Sequence, residues 1–598
     1  MTKKTKDSRP IDGNYETGPK GPTRRAVMAA GAVAGAALPL VAQASQNHGL
    51  TQSKPFSSGP STWRMPQGWR GLDLAFYEMS ANDPTFLEIY AYCDAMSYKG
   101  GDTVMLHATT TAEMFDLSVW RDGPTRETVF EAKGVKGVFT ETPKDAYANG
   151  CNWPVLAQIP VDTTWRSGVY IVELRVEENE ETKVSEAGFV VRGSGKAKIT
   201  YMLTTNTAQA YNMWGGANHY LGIHGEDNVG PSPLLSFNRP FERGFWVAPD
   251  NFPYLSTVPE RLRYKNEPGY TAQPAPGYSL MMGYAWGANS AGWATDNRPF
   301  AVWAEENGYE IDYIDQTDLN RTPGVLDGYD CLVISGHDEY WSWEQRDAVD
   351  AFVDAGGKLA RFAANMLWQV RMEGENGHQQ ICHKVNADEN DPVAGTDRAH
   401  LLTTIWEHAS INRPAAQTFS VTGLQGIYAA YDGAAPRSSA GFTIYRADHW
   451  ALEGTALMYG DTFGMEEGVV GYETDSVDYT MRYGLPYASD LHGPLEGTEI
   501  LAVTPGIVDQ VSAGGPGDAV LSIGKGDFYA RYYARSIEGN EETETVDKYR
   551  YGSAQIVVAP KGKGEIFCAG TVYWYLGLKW RDRTTQQITH NVLRRYTT

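Results

Sequence analysis

The 598-residue sequence predicts two fold classes in one chain, an all-β sandwich followed by an α/β domain on a mainly parallel sheet. Across residues 69–192, short runs of period two alternate with Gly, Asp and Pro turns, as half-buried strands do. After Gly193-Ser194-Gly195, strand-like runs alternate with helical ones, the pattern of βαβ units. Hydrophobic residues are 42% and charged residues 21%, so the chain is globular and long enough for about two to four domains.

Residues 1–44 read as an export signal. Lys3, Lys4, Lys6, Arg9, Lys20, Arg24 and Arg25 precede an apolar, Ala-rich stretch over 26–41, and Ala42-Gln43-Ala44 follows as a small-x-small cleavage pattern. The Arg24-Arg25 pair resembles a twin-arginine signal; an ordinary secretory signal is the alternative. Either implies a periplasmic or secreted bacterial protein. Residues 45–66, rich in Ser, Gly, Pro and Gln, read as a linker.

The sandwich domain is expected over 67–193, with strands at 86–92, 103–109, 115–119, 168–176 and 188–191, as in an immunoglobulin-like module. Cys93 and Cys151 both fall in it, and an oxidising compartment would allow them to pair. The α/β domain is expected over 194–598. It opens with a strand-like run at 198–203, and a helix ends at Gly308. Strands are expected at 309–314, 330–335 and 358–363, with a helix over Trp343–Ala355 stopped by Gly356-Gly357, and further strands at 556–558 and 565–568. Ligands in such sheets bind at the carboxyl ends of strands. Two segments meet that requirement: Gly336 to Tyr340, and Ala364-Asn365.

A net charge of −22 with no basic cluster beyond the N-terminal tail excludes nucleic acid as a partner. Beyond the N-terminal stretch no run of 18 apolar residues occurs, so no stable membrane insertion is expected of the mature chain. Five scattered cysteines make neither a disulfide framework nor a CxxC site. HExxH, GxSxG and Walker patterns are also lacking.

The most concentrated chemistry is His337-Asp338-Glu339-Tyr340-Trp341-Ser342, between an apolar strand and a helix. In extended backbone His337 and Glu339 project to one side, so an imidazole and a carboxylate can serve one ligand. The structural alternative is that Ser342 caps the helix, Glu339 sits at its positive end and His337 packs. A second polar run, Asn206 to Gly216, follows the 198–203 strand; it is equally a ligand loop or a tight turn. His378 and His383 are five apart in a polar loop and read as surface residues. The residues alone lead to a polar pocket of His337, Glu339, Asn365 and Tyr211.

In order along the chain come Gln209-Ala210-Tyr211-Asn212-Met213-Trp214-Gly215-Gly216, Ser236-Phe237-Asn238-Arg239-Pro240-Phe241, Gly336 to Ser342, and Gly471-Tyr472-Glu473. Together they resemble the N,N-dimethylformamidase large (beta) subunit family, from about Thr85 to the C-terminus. The resemblance implies a glutamine-amidotransferase-like α/β domain and a mononuclear ferric iron held by two tyrosine phenolates and one glutamate. Glu339 matches the glutamate ligand and Tyr211 one tyrosine. The other falls on Phe241, which cannot ligate: either Tyr220 or Tyr254 supplies the second phenolate, or the second tyrosine is placed elsewhere, or this member binds the metal weakly or not at all. The resemblance further implies His337 as orienter or proton carrier, Asn365 as oxyanion donor, Glu473 as general acid–base and Lys384 as a positive charge near the site. Residues 245–292, with five tyrosines, read as an aromatic loop or lid.

The function expected is an exported, iron-dependent hydrolase that cleaves the C–N bond of a small or N-substituted amide, with metal-activated water attacking the carbonyl. One alternative is a non-catalytic cell-envelope or ligand-binding protein that kept the fold without the metal. Another is a hydrolase of carbohydrate-derived amides using His337 and Glu473 without iron. The partner expected is a small-molecule amide substrate; homo-oligomerisation and a separate small subunit are both left open.

Overall fold

The computed structural model describes residues 63–64, 77–220, 222, 231–248, 291–426, 441–471, 473–507 and 528–598. All lie in one compact unit, Lys54–Thr598. The export segment lies outside the described residues, as does the linker except for Trp63–Arg64, which pairs antiparallel with Tyr77–Glu78.

Two sheets form the first half. One has the order Ser97–Tyr98, Glu181–Val191, Gly168–Glu178, Met114–Asp122, Glu127–Lys136; the other runs Ile89–Cys93, Thr103–Thr110, Val155–Pro160. The Glu178 to Glu181 hairpin turns through Asn179 and Glu180, both at positive φ, the backbone a two-residue hairpin turn requires. Alternate residues of both sheets, among them Ala91, Leu106, Val119, Val172 and Phe189, share one buried core. Glu127–Lys136 has no deeply buried residue, so it lacks the apolar alternation by which a strand is read from sequence.

Cys93 and Cys151, whose pairing the sequence leaves open, are free thiols. The reason is the pleat. Cys93 shares the inward face of its strand with Ile89 and Ala91, whereas Cys151 packs against Tyr90 and Tyr92 on the opposite face. Burial raises both thiol pKa values.

The second half is built on an eleven-stranded sheet that is mixed rather than mainly parallel. Ile311–Asp315, Ile199–Leu203, Cys331–His337, Lys358–Ala364 and Gly564–Cys568 lie side by side in parallel. Tyr551–Lys561, Glu499–Ile507, Phe442–Ile444 and Thr462–Phe463 continue it antiparallel, and a hairpin of Tyr479–Arg482 and Leu485–Ala488 joins at Glu499. Both faces are covered. Tyr201, Val333, Phe362 and Phe567 face one core, and Met202, Leu332, Ile334 and Leu359 the other, which explains the near-continuous apolar runs of the parallel strands.

From Ile199–Leu203 the chain passes first to the strand on one side, Ile311–Asp315, and then to the strand on the other, Cys331–His337. This reversal opens a crevice at the carboxyl ends of Ile199–Leu203 and Cys331–His337.

Arg361, fully buried in the next strand, ties the crevice together. Its Nε donates to Asp338 Oδ2 at 2.6 Å and its Nη1 to Asp475 Oδ2 at 2.6 Å. Asp475 Oδ1 in turn accepts from the backbone N–H of Asn365 at 2.9 Å and Met366 at 3.1 Å. Burial opposes the guanidinium charge, but the two carboxylates more than offset it. Removing one partner of such a buried group leaves uncompensated charge. Arg361→Met is therefore expected to lose about 3–5 kcal/mol of stability in chemical denaturation; a loss below about 1 kcal/mol would show that the network does not hold the crevice.

Candidate metal and reaction centre

Each arm of the crevice delivers its side chain for a local reason. Gly336 sits at φ +82, and a Cβ there would meet Asp296 Cβ at 2.7 Å, so only glycine lets the strand turn into the His337 to Glu339 segment. Ser342 closes that segment with a capping box on Gln345. The helix Thr205–Tyr211 follows the Ile199–Leu203 strand and ends at Tyr211. Beyond it, buried Arg239 donates to the carbonyls of Ser236 at 3.1 Å and Asn212 at 3.0 Å, and to that of Trp214. The remaining residues of the two motifs are thus mostly scaffold, and Tyr211 is the one that reaches the carboxylates. Tyr340–Ser342 pairs in parallel with Trp368–Glu373, with Tyr340 opposite Trp368.

Around Glu339 the oxygens crowd. Its Oε2 lies 3.2 Å from the Tyr211 hydroxyl and 2.8 Å from that of Tyr220, while Oε1 accepts from Trp368 Nε1 at 2.7 Å. Lys384 Nζ donates to the Tyr340 hydroxyl at 2.9 Å, and that hydroxyl donates to Tyr220 at 2.7 Å. The Lys384 ammonium also lies 3.4 Å from the Tyr220 ring centroid. On the other side, His337 Nε2 is 2.9 Å from Glu473 Oε2, 3.4 Å from Glu339 Oε2 and 3.1 Å from Asn365 Nδ2. A proton on that nitrogen can serve one of the two carboxylates, whereas Asn365 Nδ2 donates to it only when the nitrogen carries no proton.

The charge balance is unfavourable as it stands. Burial, and then Glu473, raises the Glu339 pKa. Burial, and then Glu339, pushes the phenols of Tyr211, Tyr220 and Tyr340 well above their ordinary range. Burial lowers Lys384, opposed by Glu339. The Tyr220 hydroxyl, with one proton to give, stands within 3.0 Å of three acceptor oxygens, the Tyr211 hydroxyl and both oxygens of Glu339. Glu473 Oε2 is buried and, despite its 2.9 Å approach to His337, meets no donor in hydrogen-bond geometry. A cation answers both features. Two overlapping donor sets are offered: the hydroxyls of Tyr211 and Tyr220 with Glu339, or His337, Glu339 and Glu473, whose ligand atoms lie within 4.8 Å of one another.

The structure thus brings Tyr211, Tyr220, His337, Glu339, Asn365, Lys384 and Glu473 into one buried group. Phe241 stands elsewhere, its ring 5.7 Å from Phe245 and 5.6 Å from Trp246 in an aromatic cluster, and the second phenol beside Glu339 belongs to Tyr220. Tyr254 and the other tyrosines of residues 249–290 lie outside the described residues. His378 binds Asn238 Oδ1 at 2.8 Å and takes no part in the group. Two members escaped the sequence reading: Tyr340, inside the His337 motif but given no role there, and Trp368, whose role rests on the strand pairing with Tyr340.

A family model described as N,N-dimethylformamidase beta subunit-like, C-terminal, matches residues 112–589. This chain belongs to that family. The family match begins within the sandwich and runs through every residue of the centre. Two N,N-dimethylformamidase beta subunits align over 233 residues, one from an Alcaligenes species at 26% identity and one from Paracoccus aminophilus at 25%. Each alignment covers 38% of this chain and 29% of the relative, so it spans less than a third of either relative's length. A solved family 123 glycoside hydrolase from Clostridium perfringens, at 10% identity, superposes with a TM-score of 0.08, which carries no argument.

Asn365 holds φ at +71, where side chains other than Asn, Asp and Gly are disfavoured. Asn365→Gly is expected to be about 1 kcal/mol more stable than Asn365→Ala in denaturant melts, although both lose the amide at His337. Equal stability would mean that the backbone there relaxes.

Proposed function

We propose that this chain is an amide hydrolase whose centre holds one ferric iron through Tyr211, Tyr220 and Glu339. The observation that carries this is the convergence of two phenol oxygens and a carboxylate at 2.8–3.2 Å in a buried site. Anionic oxygen ligands suit a hard cation, whereas the alternative set with His337 would suit zinc or ferrous iron better. When bound, ferric iron supplies a Lewis acid that polarises an amide carbonyl and makes water more acidic.

The protein's own groups do the rest. Glu473, with an oxygen that meets no aligned donor, is the general base for the attacking water and returns that proton to the departing amine. His337 Nε2, 2.9 Å away, is the nearest ring nitrogen through which that proton can pass once the two groups come into line. Asn365, on the same side of the imidazole, presents an amide N–H to the oxygen that gains charge at the carbonyl. Lys384 and Tyr340 feed a chain of donors toward Glu339 through Tyr220, which favours the ionised carboxylate. Trp368 fixes its second oxygen.

The substrate proposed is a small or N-substituted amide. If residues 1–44 act as the export signal they resemble, the enzyme works in the periplasm or outside the cell, and a less permeant amide than dimethylformamide fits that place better. The relatives are named as subunits, so a partner subunit belongs to this reading. The non-catalytic alternative drew on Phe241, and the Tyr220 hydroxyl 2.8 Å from Glu339 weighs against it.

Two variants test the assignments. Glu339→Ala is expected to abolish bound iron with an unchanged far-ultraviolet circular dichroism spectrum; stoichiometric iron in that variant would show Glu339 not to be a ligand. Glu473→Gln is expected to keep the iron and lower kcat for amide hydrolysis by about 10²–10⁴-fold. Full activity in Glu473→Gln would remove it from the proton transfer.

A further inference from the structure

The sandwich and the α/β layer meet beside the strand that carries His337. On the sandwich side, Met114–Asp122 ends in Asp122, whose Oδ2 accepts from Trp293 Nε1 and from Arg298 Nε, each at 2.7 Å. Trp293 opens a π-helical turn, Trp293–Asn297, that runs straight into the helix Arg298–Glu306. Its widened bond joins the Arg298 N–H to the Trp293 carbonyl. Single π turns of this kind are rare and recur at functional sites. Gly292 admits the chain to the turn: φ is +117, and a Cβ there would meet Phe245 Cδ1 at 2.8 Å.

The far end of the turn is fastened to the His337 strand. Asn297 Nδ2 donates to the Ser335 carbonyl at 2.8 Å. The Tyr201 hydroxyl, 2.6 Å from Ser335 Oγ, donates to the Asn297 carbonyl at 3.0 Å. Asp296, one residue earlier, lies against Gly336. Thr295 and Tyr575 hydrogen-bond its carboxyl, and burial raises it to about 7, with the charge of His337 as the first opposing influence. A continuous path therefore runs from Asp122 through Trp293, Asn297 and Ser335 to His337.

We propose that Trp293 and Asn297 are positioning residues, through which the sandwich holds the His337 imidazole in reach of Glu473, so that this domain is a working part of the centre. The inference rests on the proton-carrying role given to His337 above. Close-packed interiors transmit strain, so a turn held at both ends passes a displacement at Asp122 on to the 2.9 Å approach of His337 to Glu473. Arg121 supplies a control, because its guanidinium ties the same two layers through Glu305, at 2.5 and 3.1 Å, at the far end of the helix.

Two readouts test this. Nitrogen NMR of protein carrying ¹⁵N-labelled histidine, freed of paramagnetic iron, reports the His337 ring, identified by its absence in His337→Gln. Steady-state kinetics report kcat and KM for amide hydrolysis. Trp293→Phe and Asp122→Ala are each expected to shift the His337 ring signals and to lower kcat by about 10- to 100-fold, with KM and iron content unchanged. The double variant should fall no further than either alone. Arg121→Met is expected to lower stability and leave both readouts as in the native protein. Unmoved ring signals in both Trp293→Phe and Asp122→Ala would overturn the proposal, as would shifted signals with full kcat, or an equal shift in Arg121→Met. If the native protein hydrolyses no amide, the reading of the centre fails, and the ring signals alone decide whether the sandwich positions His337.

Discussion

One buried cation, Arg361, sets the geometry on which the rest depends. It grips Asp338 on one strand end and Asp475 on a distant segment, and Asp475 then fixes the backbone at Asn365 and Met366. His337 and Glu339 flank Asp338, and Glu473 lies two residues before Asp475. Four groups from three stretches of chain are thereby registered by a single guanidinium. A fork of five fixed donors does this where a flexible ammonium could not.

The sheet makes that registration possible. Reversal of strand order beside Ile199–Leu203 puts Tyr211 and Glu339 across one crevice, and the parallel pairing of Tyr340 with Trp368 adds a phenol and an indole to its wall. The polar group so assembled is rich in carboxylates and phenols and contains a single ammonium, that of Lys384. Such a set costs free energy when buried unless a further positive charge is present. The proposed iron supplies that charge, so the same crowding that strains the group alone gives it a function.

Much of this was legible in the sequence, for identifiable reasons. The helix Trp343–Ala355 was readable to the residue because a capping serine and a double glycine bound it. His337, Glu339 and Asn365 were readable because they follow apolar strands. The separate four-stranded sheet of Leu234–Ser236, Gln379–Ile381, Trp368–Glu373 and Tyr340–Ser342 was not, since its strands are short and their pairing is set by tertiary contacts. A strand at 556–558 was legible but its antiparallel sense was not, because buried strands of either sense have the same apolar runs. Whether Cys93 and Cys151 pair was not legible, because it turns on strand parity, which residue types do not reveal. The placement on Phe241 went wrong because its flanking motif serves Arg239, which holds a loop, and the phenol comes from Tyr220, 21 residues earlier in the sequence.

The central claim is that Tyr211, Tyr220 and Glu339 form a ferric centre, and the visible spectrum of the purified protein, read with its iron content, tests it most directly. The account predicts one iron per chain and a tyrosinate-to-iron charge-transfer band that disappears in Tyr220→Phe. A colourless protein that takes up no added ferric iron would contradict it.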